Sequence, residues 1–531
     1  MYFTKLLFLI SLYSLSLTID TNNLQASYDF TQFFDNINSQ KITKEDSKYV
    51  IDTLKTKPEQ YVYLDIVRRP PSTPDNYYQE VDLMYELDQI STEERSLYEF
   101  YRDIKLALKK CKDNHLEILL DKSKLDLSEK YFISPLYFEI VESENEIYVV
   151  AKHNEILENH FDSELIQKIK SKSNLKISTI NGIDPIEFIQ TFNKNFGSMK
   201  SKQAQFVLNF NFFGIYPVNV FPFQKADLEN IRIVYDDIIS SVRFSYKVLY
   251  NNNFENKSFF NIKNNDINIH KKIDDFSNLF LSKNKEFLKQ NIINWDYYYS
   301  KNVKDKNNFK CRVDNTKQVN VIYQKTFALD FQKAKQFLDN CFSLFDKNKY
   351  PIIIIEDFNE GGNGASASYL QSYINLKNIP FDYASARNSV DVKENFNYGV
   401  KDVYTCNKID VKSCFNSIIT DDYGTNSKGL KVTHERTKIF HTSIERTHFY
   451  NYRKNAKNIR KPTEIIIFTD GFSYSATSSF IKNTQIKGGA IVVGYGGNPN
   501  INSFDSSQGP SSVETISFLG FTLKLPIFLI F

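Results

Sequence analysis

Two short apolar runs limit what this chain can fold into. They are Ile465–Phe468 in KPTEIIIFTDGFSYSATSSFI and Ile352–Ile355 in PIIIIEDFNEGGNG. Neither alternates polar with apolar residues, so a strand made from either must be covered on both faces, as in a parallel sheet. The first run stops at Asp470–Gly471, a strong turn signal. The second runs into Gly361–Gly362. A segment of helix length follows each turn, and a further apolar run, Ala490–Val493, closes at Gly494. Strand, turn, helix, strand is a βαβ unit. The strand-like Val319–Tyr323 and the amphipathic segment 331–346 extend it into a layered α/β domain. Hydroxyl residues crowd the Asp470–Gly471 turn: Ser473, Ser475, Thr477, Ser478 and Ser479. A serine there sits at a strand's carboxyl end and beside a helix N-terminus, where unpaired N–H groups favour a developing oxyanion. The same serines can equally well only cap the helix. The turn by itself does not choose between these readings.

At 531 residues the chain is long enough for two to four domains. Its net charge of +3 comes with no basic patch, which argues against a nucleic-acid partner. There is no CxxC, no Cys/His pair at ligand spacing and no HExxH, so no metal and no cofactor is expected. Residues 1–18 carry Lys5 and then the apolar run Leu6–Leu17, the pattern of a secretory signal peptide, and secretion or a secretory-pathway lumen is the expected location. In that compartment some of the five cysteines (Cys111, Cys311, Cys341, Cys406, Cys414) can pair, Cys406 with Cys414 being one option, and the odd count leaves one free. Asn256-Lys257-Ser258 is a glycosylation sequon in an Asn-rich stretch.

Between residues 77 and 112 the pattern is helical, with Leu97, Phe100, Ile104 and Leu108 on one face. Ser91 with Glu94 predicts a capping box for the second helix. That helix runs out at Asp113–Asn114, and Leu116–Leu120 reads as a strand, so His115 lies at a helix-to-strand corner. It has the most defined setting of the seven histidines. Residues 136–192 read as a small module: two strands, a third ending at Asn181–Gly182, and a helix started by Asp184–Pro185. Ser475 after one strand, the Gly361–Gly362 loop after another and His115 upstream can together supply a nucleophile, backbone donors and a base.

Four segments resemble, in the same order, those of the tail-specific (carboxyl-terminal processing) serine peptidases. They are DLMYELDQI…SLYEFYRDIKLALKKCKDNHLEI, LKISTINGIDPIEFI, PIIIIEDFNEGGNG and EIIIFTDGFSYSATSSFI…GAIVVGYGGNP. The likeness is greatest to the histidine-using branch that includes the chlamydial protease-like activity factor and its secreted fungal and protist relatives. It implies a multidomain α/β chain with a ClpP/crotonase-like βαβ catalytic domain, an N-terminal helical region and a PDZ-like module. The family's nucleophile lies 19 residues before the glycine ending the next strand, and Ser475 stands at that spacing from Gly494. Gly364-Ala365-Ser366-Ala367-Ser368 has the letters of the nucleophile run without its setting. The branch that uses lysine places it about 25 residues after the serine, but position 500 is Asn and no lysine lies between Gly488 and Thr522. The resemblance therefore implies Ser475 as nucleophile and His115 as general base. Gly361, Gly362 and Ala476 are the implied oxyanion donors, and a polypeptide is the implied substrate.

The implied domains are a signal peptide at 1–18, a helical region with His115 at 25–130 and a PDZ-like module at 131–195. An Asn/Lys-rich connecting region at 196–310, the catalytic domain at 311–515 and an apolar tail at 516–531 follow. The tail departs from the family, whose third catalytic member is a glutamate further downstream. Glu514 is the one acid after Asp505, about 20 residues early. Residues 516–531 are apolar apart from Lys524 and lack the expected strand pattern. Three readings stay open: a truncated or shifted end, a membrane or lipid-anchor signal, and a buried terminal strand. Membrane contact is expected only under the second. If the site lacks its acid, the alternative is a catalytically impaired homologue that binds peptides by strand addition.

Overall fold

The computed structural model describes residues 26–250 and 309–530, apart from 29, 73–78, 122, 128–129, 144–145, 156, 196–198, 237–239, 375–382, 391–403, 406–417, 438–439, 443–455, 487, 502–510 and 520. The expected signal peptide, the Asn256 sequon, Cys406 and Cys414 fall outside the described residues.

The two apolar runs lie side by side in one five-stranded sheet. Its order is Phe309–Asp314, Val319–Gln324, Ile352–Glu356, Ile465–Asp470, Ile491–Tyr495. The first pair is antiparallel and the other three are parallel. Ile354 pairs with Ile467, and Ile467 with Val492. Helices Phe331–Phe345, Gly364–Ile374 and Ala476–Ile486 cover the sheet. They seal Ile354, Ile467, Phe337, Leu370 and Ile481 into one core. Asp330 starts the first of these helices by accepting the N–H groups of Gln332 and Lys333. A disulfide joins Cys311 to Cys341, tying the edge strand to that helix, while Cys111 is free and buried.

A larger core holds the N-terminal half and reaches Phe472, Phe521, Leu523 and Leu525. The helix Leu97–Lys109 buries Leu97, Phe100, Ile104 and Leu108, as its spacing predicts. Its cap is Ser96, which accepts the Glu99 N–H, and not Ser91. Arg95–Ser96 pairs with Lys41–Ile42, so the backbone stays extended until Ser96 and the helix cannot start earlier. Ser91 instead closes a turn onto the Glu93 N–H.

The boundary expected at residue 195 is not a boundary in the sheets. The hairpin Leu136–Ser143 with Glu146–His153 and the helix Pro185–Thr191 form as expected. However, Ile177–Ile180 pairs with Ile231–Tyr235, and Lys130–Ile133 pairs with Lys247–Tyr250 and Ile215–Pro217. Residues 202–250 therefore complete sheets begun before 195 instead of serving as a connection. The sequence hides this because the partners lie 50 to more than 110 positions apart.

The tail forms a strand, one of the three readings left open. Phe521–Ile530 is an inner strand, bonded to Ser511–Phe518, Tyr383–Ala386 and Glu117–Leu120. Phe521, Leu523 and Leu525 are buried while Thr522 and Lys524 between them are half-exposed, the alternation of a one-sided sheet. The apolar residues beyond Leu525 mask that alternation in the sequence. Among the described residues, no helix is long and apolar enough to cross a membrane.

The disulfide closes a loop with a sequence separation of 30. Replacing Cys311 and Cys341 with serine is expected to lower stability by about 3–4 kcal/mol, from the longer-loop entropy of the unfolded chain. Urea unfolding of the variant against the oxidised parent measures it.

Candidate active site

The strand Ile465–Asp470 ends in a turn built around its last side chain. Asp470 is buried and accepts N–H bonds from Phe472 (3.0 Å) in its own turn and Phe358 (2.9 Å) in the neighbouring one. One carboxyl thus joins the turns that follow two adjacent parallel strands. Gly471 is required by close packing, since a Cβ there would lie 2.8 Å from the Gln203 Cβ. Burial pushes the Asp470 carboxyl well up, and the nearby Asp357 carboxylate pushes it further. Asp357 is itself raised by burial, against the hydrogen bonds it receives from Tyr323 and Tyr495.

The five hydroxyls of the turn then separate. Ser473 is fully buried and bonded to Thr469, and Thr477 and Ser478 are fully buried too. Ser475 is half-exposed, stands immediately before the helix Ala476–Ile486, and has φ +51°. A serine in the left-handed region carries local strain, held here by its surroundings. Tyr474 N–H bonds to the Asn359 carbonyl (3.0 Å), and the Thr477 N–H to the Tyr474 carbonyl (3.1 Å). Ser366 and Ser368 lie buried within the helix Gly364–Ile374, away from any such corner.

His115 reaches this turn from 360 positions away. After the helix Leu97–Lys109 the chain reverses through Lys112 (φ +50°), and Asp113 Oδ1 accepts the His115 N–H (2.9 Å). Asp113 is fully buried and also accepts the Tyr61 hydroxyl (3.0 Å). The ring of His115 stacks on Tyr474, centroids 4.6 Å apart. Its Nε2 is 3.2 Å from Ser475 Oγ, and its Nδ1 is 2.7 Å from Tyr474 Oη and 3.5 Å from Asp113 Oδ1. Burial raises the Asp113 carboxyl, but its bond to His115 and the imidazolium charge outweigh this and hold it below the usual range. Burial pushes the Tyr474 phenol well up, so it stays protonated.

The Gly361–Gly362 loop lies against the serine turn. At Gly361 (φ +90°) a Cβ would stand 2.6 Å from the Tyr474 carbonyl oxygen, 2.7 Å from Ser475 Cβ and 2.8 Å from the Ala476 nitrogen. The Gly361 N–H is already donated to Asn359 Oδ1 (2.9 Å), so Gly361 is not placed as an oxyanion donor. Its part is close approach. Gly362 (φ +129°) bridges Phe327 through its two neighbours, the Gly361 carbonyl and the Asn363 N–H, which leaves its own N–H outside that ladder. Ala476 opens a helix, where the first N–H groups have no partner in the helix itself. Of the three expected donors, Gly362 and Ala476 remain.

Glu514 lies in the strand Ser511–Phe518. It pairs in register with Leu525, and the strand Phe521–Ile530 separates its strand from Glu117–Leu120. The sequence reading missed Asp113, Tyr474, Tyr61 and Asn359. Asp113 and Tyr474 flank His115 and Ser475 so closely in the chain that they read as parts of the turns. Among the described residues, no group of three or more His, Cys, Asp or Glu side chains is placed to hold a metal ion.

Among solved structures, a serine-to-alanine mutant of CPAF superposes with a TM-score of 0.50 at 10% identity, covering 92% of this chain and 89% of that one. This chain has the fold of CPAF. Mature CPAF complexed with lactacystin gives a TM-score of 0.48 at 11% identity over 92% and 90% of the two chains. The photosystem II D1 C-terminal processing protease gives 0.28 at 8% identity over 89% and 88%. No sequence model of a known family matches the chain, and no curated protein does.

Two outcomes are expected. Gly361→Ala forces Ser475 and Ala476 to move, and displacement on the ångström scale is expected to slow serine-directed labelling by about 100-fold. The rate of fluorophosphonate incorporation measures it. Separately, the raised Asp470 holds its proton to higher pH than an unfolded carboxyl near 4. Its contribution to stability is therefore full below that value and is lost as pH rises through the folded value. Urea unfolding from pH 4 to 9 is expected to show a steeper fall in the parent than in Asp470→Asn.

Proposed function

We propose that this chain is a secreted serine-type peptidase of the tail-specific family, in its histidine-using branch, acting on polypeptides. The observation that carries the reading is the 3.2 Å approach of His115 Nε2 to Ser475 Oγ, at a strained serine that opens a helix. A nucleophile–base pair at hydrogen-bond distance, set beside backbone donors, is the arrangement acyl transfer needs. The fold shared with CPAF agrees with it. The Cys311–Cys341 disulfide and the leader-like residues 1–18 support an oxidising, extracytosolic compartment. The hairpin and helix of residues 136–191 are the proposed PDZ-like unit that holds the peptide.

In this mechanism His115 Nε2 takes the Ser475 proton as Oγ attacks the scissile carbonyl carbon. The oxyanion of the tetrahedral intermediate is held by the N–H groups of Ala476 and Gly362, with the positive end of the helix Ala476–Ile486 behind the first. His115 then gives its proton to the leaving amine, the C–N bond breaks, and an ester to Ser475 remains. Water, deprotonated by His115, attacks that ester, and the proton returns to Ser475 as the acid product leaves.

Ser475→Ala is expected to abolish both fluorophosphonate labelling and hydrolysis of an unfolded protein substrate. His115→Ala is expected to slow both by at least about 1,000-fold. Ser366→Ala is expected to change neither. Labelling of Ser475→Ala at the parental rate rules the reading out.

A further inference from the structure

We propose that Asp113 and Tyr474 are the positioning residues of His115. The inference rests on the peptidase reading of Ser475 and His115.

For Nε2 to accept a proton from Ser475, the neutral imidazole must carry its own proton on Nδ1. That proton needs an acceptor, and the imidazolium that forms needs a nearby negative charge. Tyr474 Oη, 2.7 Å from Nδ1, is within hydrogen-bond distance, and in the proposed tautomer it accepts that proton with its own hydroxyl hydrogen turned away. Because Tyr474 directly precedes Ser475, the acceptor and the nucleophile sit on one turn. They grip the two nitrogens of a ring that is also stacked on the tyrosine. Asp113 Oδ1, 3.5 Å from Nδ1, is too long for a good hydrogen bond but suits an ion pair with the imidazolium. Its carboxylate is fixed by two donors, the Tyr61 hydroxyl and the His115 backbone N–H, and is shielded from water. Glu514 lies two strands away from the corner that carries His115.

The other titratable groups around this pocket are Tyr61 and Tyr63, Lys109, Cys111, Lys112, Lys200 and Glu117. Lys200 lies over the Tyr63 ring at 4.8 Å, and it and Lys109 are lysines in the field of Asp113. Asp113 is therefore the buried carboxylate placed to favour the charged ring. A purely structural Asp113 would pin the corner and leave the titration of His115 unmoved.

The test compares Asp113→Asn, Tyr474→Phe and Glu514→Gln in the full chain, by kcat/KM against pH on a peptide substrate. Asp113→Asn is expected to lower kcat by about 100- to 10,000-fold with little change in KM. Its acidic limb is expected to move to lower pH, because removing a negative charge beside an imidazolium lowers the pKa of that ring. Tyr474→Phe is expected to cost about 2- to 12-fold, the worth of one hydrogen bond. Glu514→Gln is expected to be unchanged. An unmoved acidic limb in Asp113→Asn, or an equal loss in Glu514→Gln, overturns the proposal. If Asp113→Asn does not fold, nitrogen-15 NMR of histidine-labelled parent decides. The Nδ1–H tautomer at His115 supports the proposal, and the Nε2–H tautomer overturns it. That measurement needs no turnover, so it is separate from whether Ser475 is a nucleophile at all.

Discussion

The site depends on the parallel pairing of Ile352–Glu356 with Ile465–Asp470. In that register Glu356 faces Thr469, and both strands release their chains at the same end of the sheet. The two turns that follow are then close enough to share one carboxyl, Asp470, and one amide, Asn359. Asn359 gives its backbone carbonyl to the Tyr474 N–H, its side-chain oxygen to Gly361, and its side-chain nitrogen to the Gln324 carbonyl (3.3 Å). The strained φ of Ser475 persists because its neighbours are bonded on both sides, and a conformation costing about 1–3 kcal/mol survives only when over-determined in this way.

His115 is delivered by a different assembly. His115 sits between a helix and the strand Glu117–Leu120, and that strand is held by Phe521–Lys524 from the other end of the chain. Beneath it, buried Lys105 donates to the Asn219 carbonyl (2.6 Å) and meets Glu117 (3.3 Å), which also faces Lys524 (3.5 Å). A lysine with no side-chain exposure is tolerable only because its donors are met in this way. The C-terminal strand contributes to the site by fixing the corner from which His115 projects, while Glu514 sits on the strand beyond it.

Much of this was legible in the residues. Short isoleucine runs leading into Asp-Gly and Gly-Gly turns read as buried parallel strands with tight exits, since β-branched runs of that length suit a strand covered on both faces. The helix through Leu97, Phe100, Ile104 and Leu108 was legible from its period, and the histidine corner from Asp113–Asn114. The extent of the module beyond 195, and the choice among the three readings of the tail, were not legible. Sheet partners at 177–180 and 231–235 leave no local trace, and an inner strand of mostly apolar residues hides its own alternation.

The sequence by itself determined which elements form, and that a serine, a glycine loop and a histidine stand at element ends. These depend on side-chain period, turn chemistry and capping, all of them local. It left five hydroxyls at one turn, three backbone donors and one acid as candidates. Tertiary structure decided among them: Ser475 faces His115, the Gly361 N–H is taken by Asn359, and Tyr474 and Asp113 stand beside the ring. The reason is physical. Whether a polar group is free to react depends on what already satisfies it, and some of those partners, as Ser475 and Tyr474 are for His115, come from chain segments hundreds of residues away.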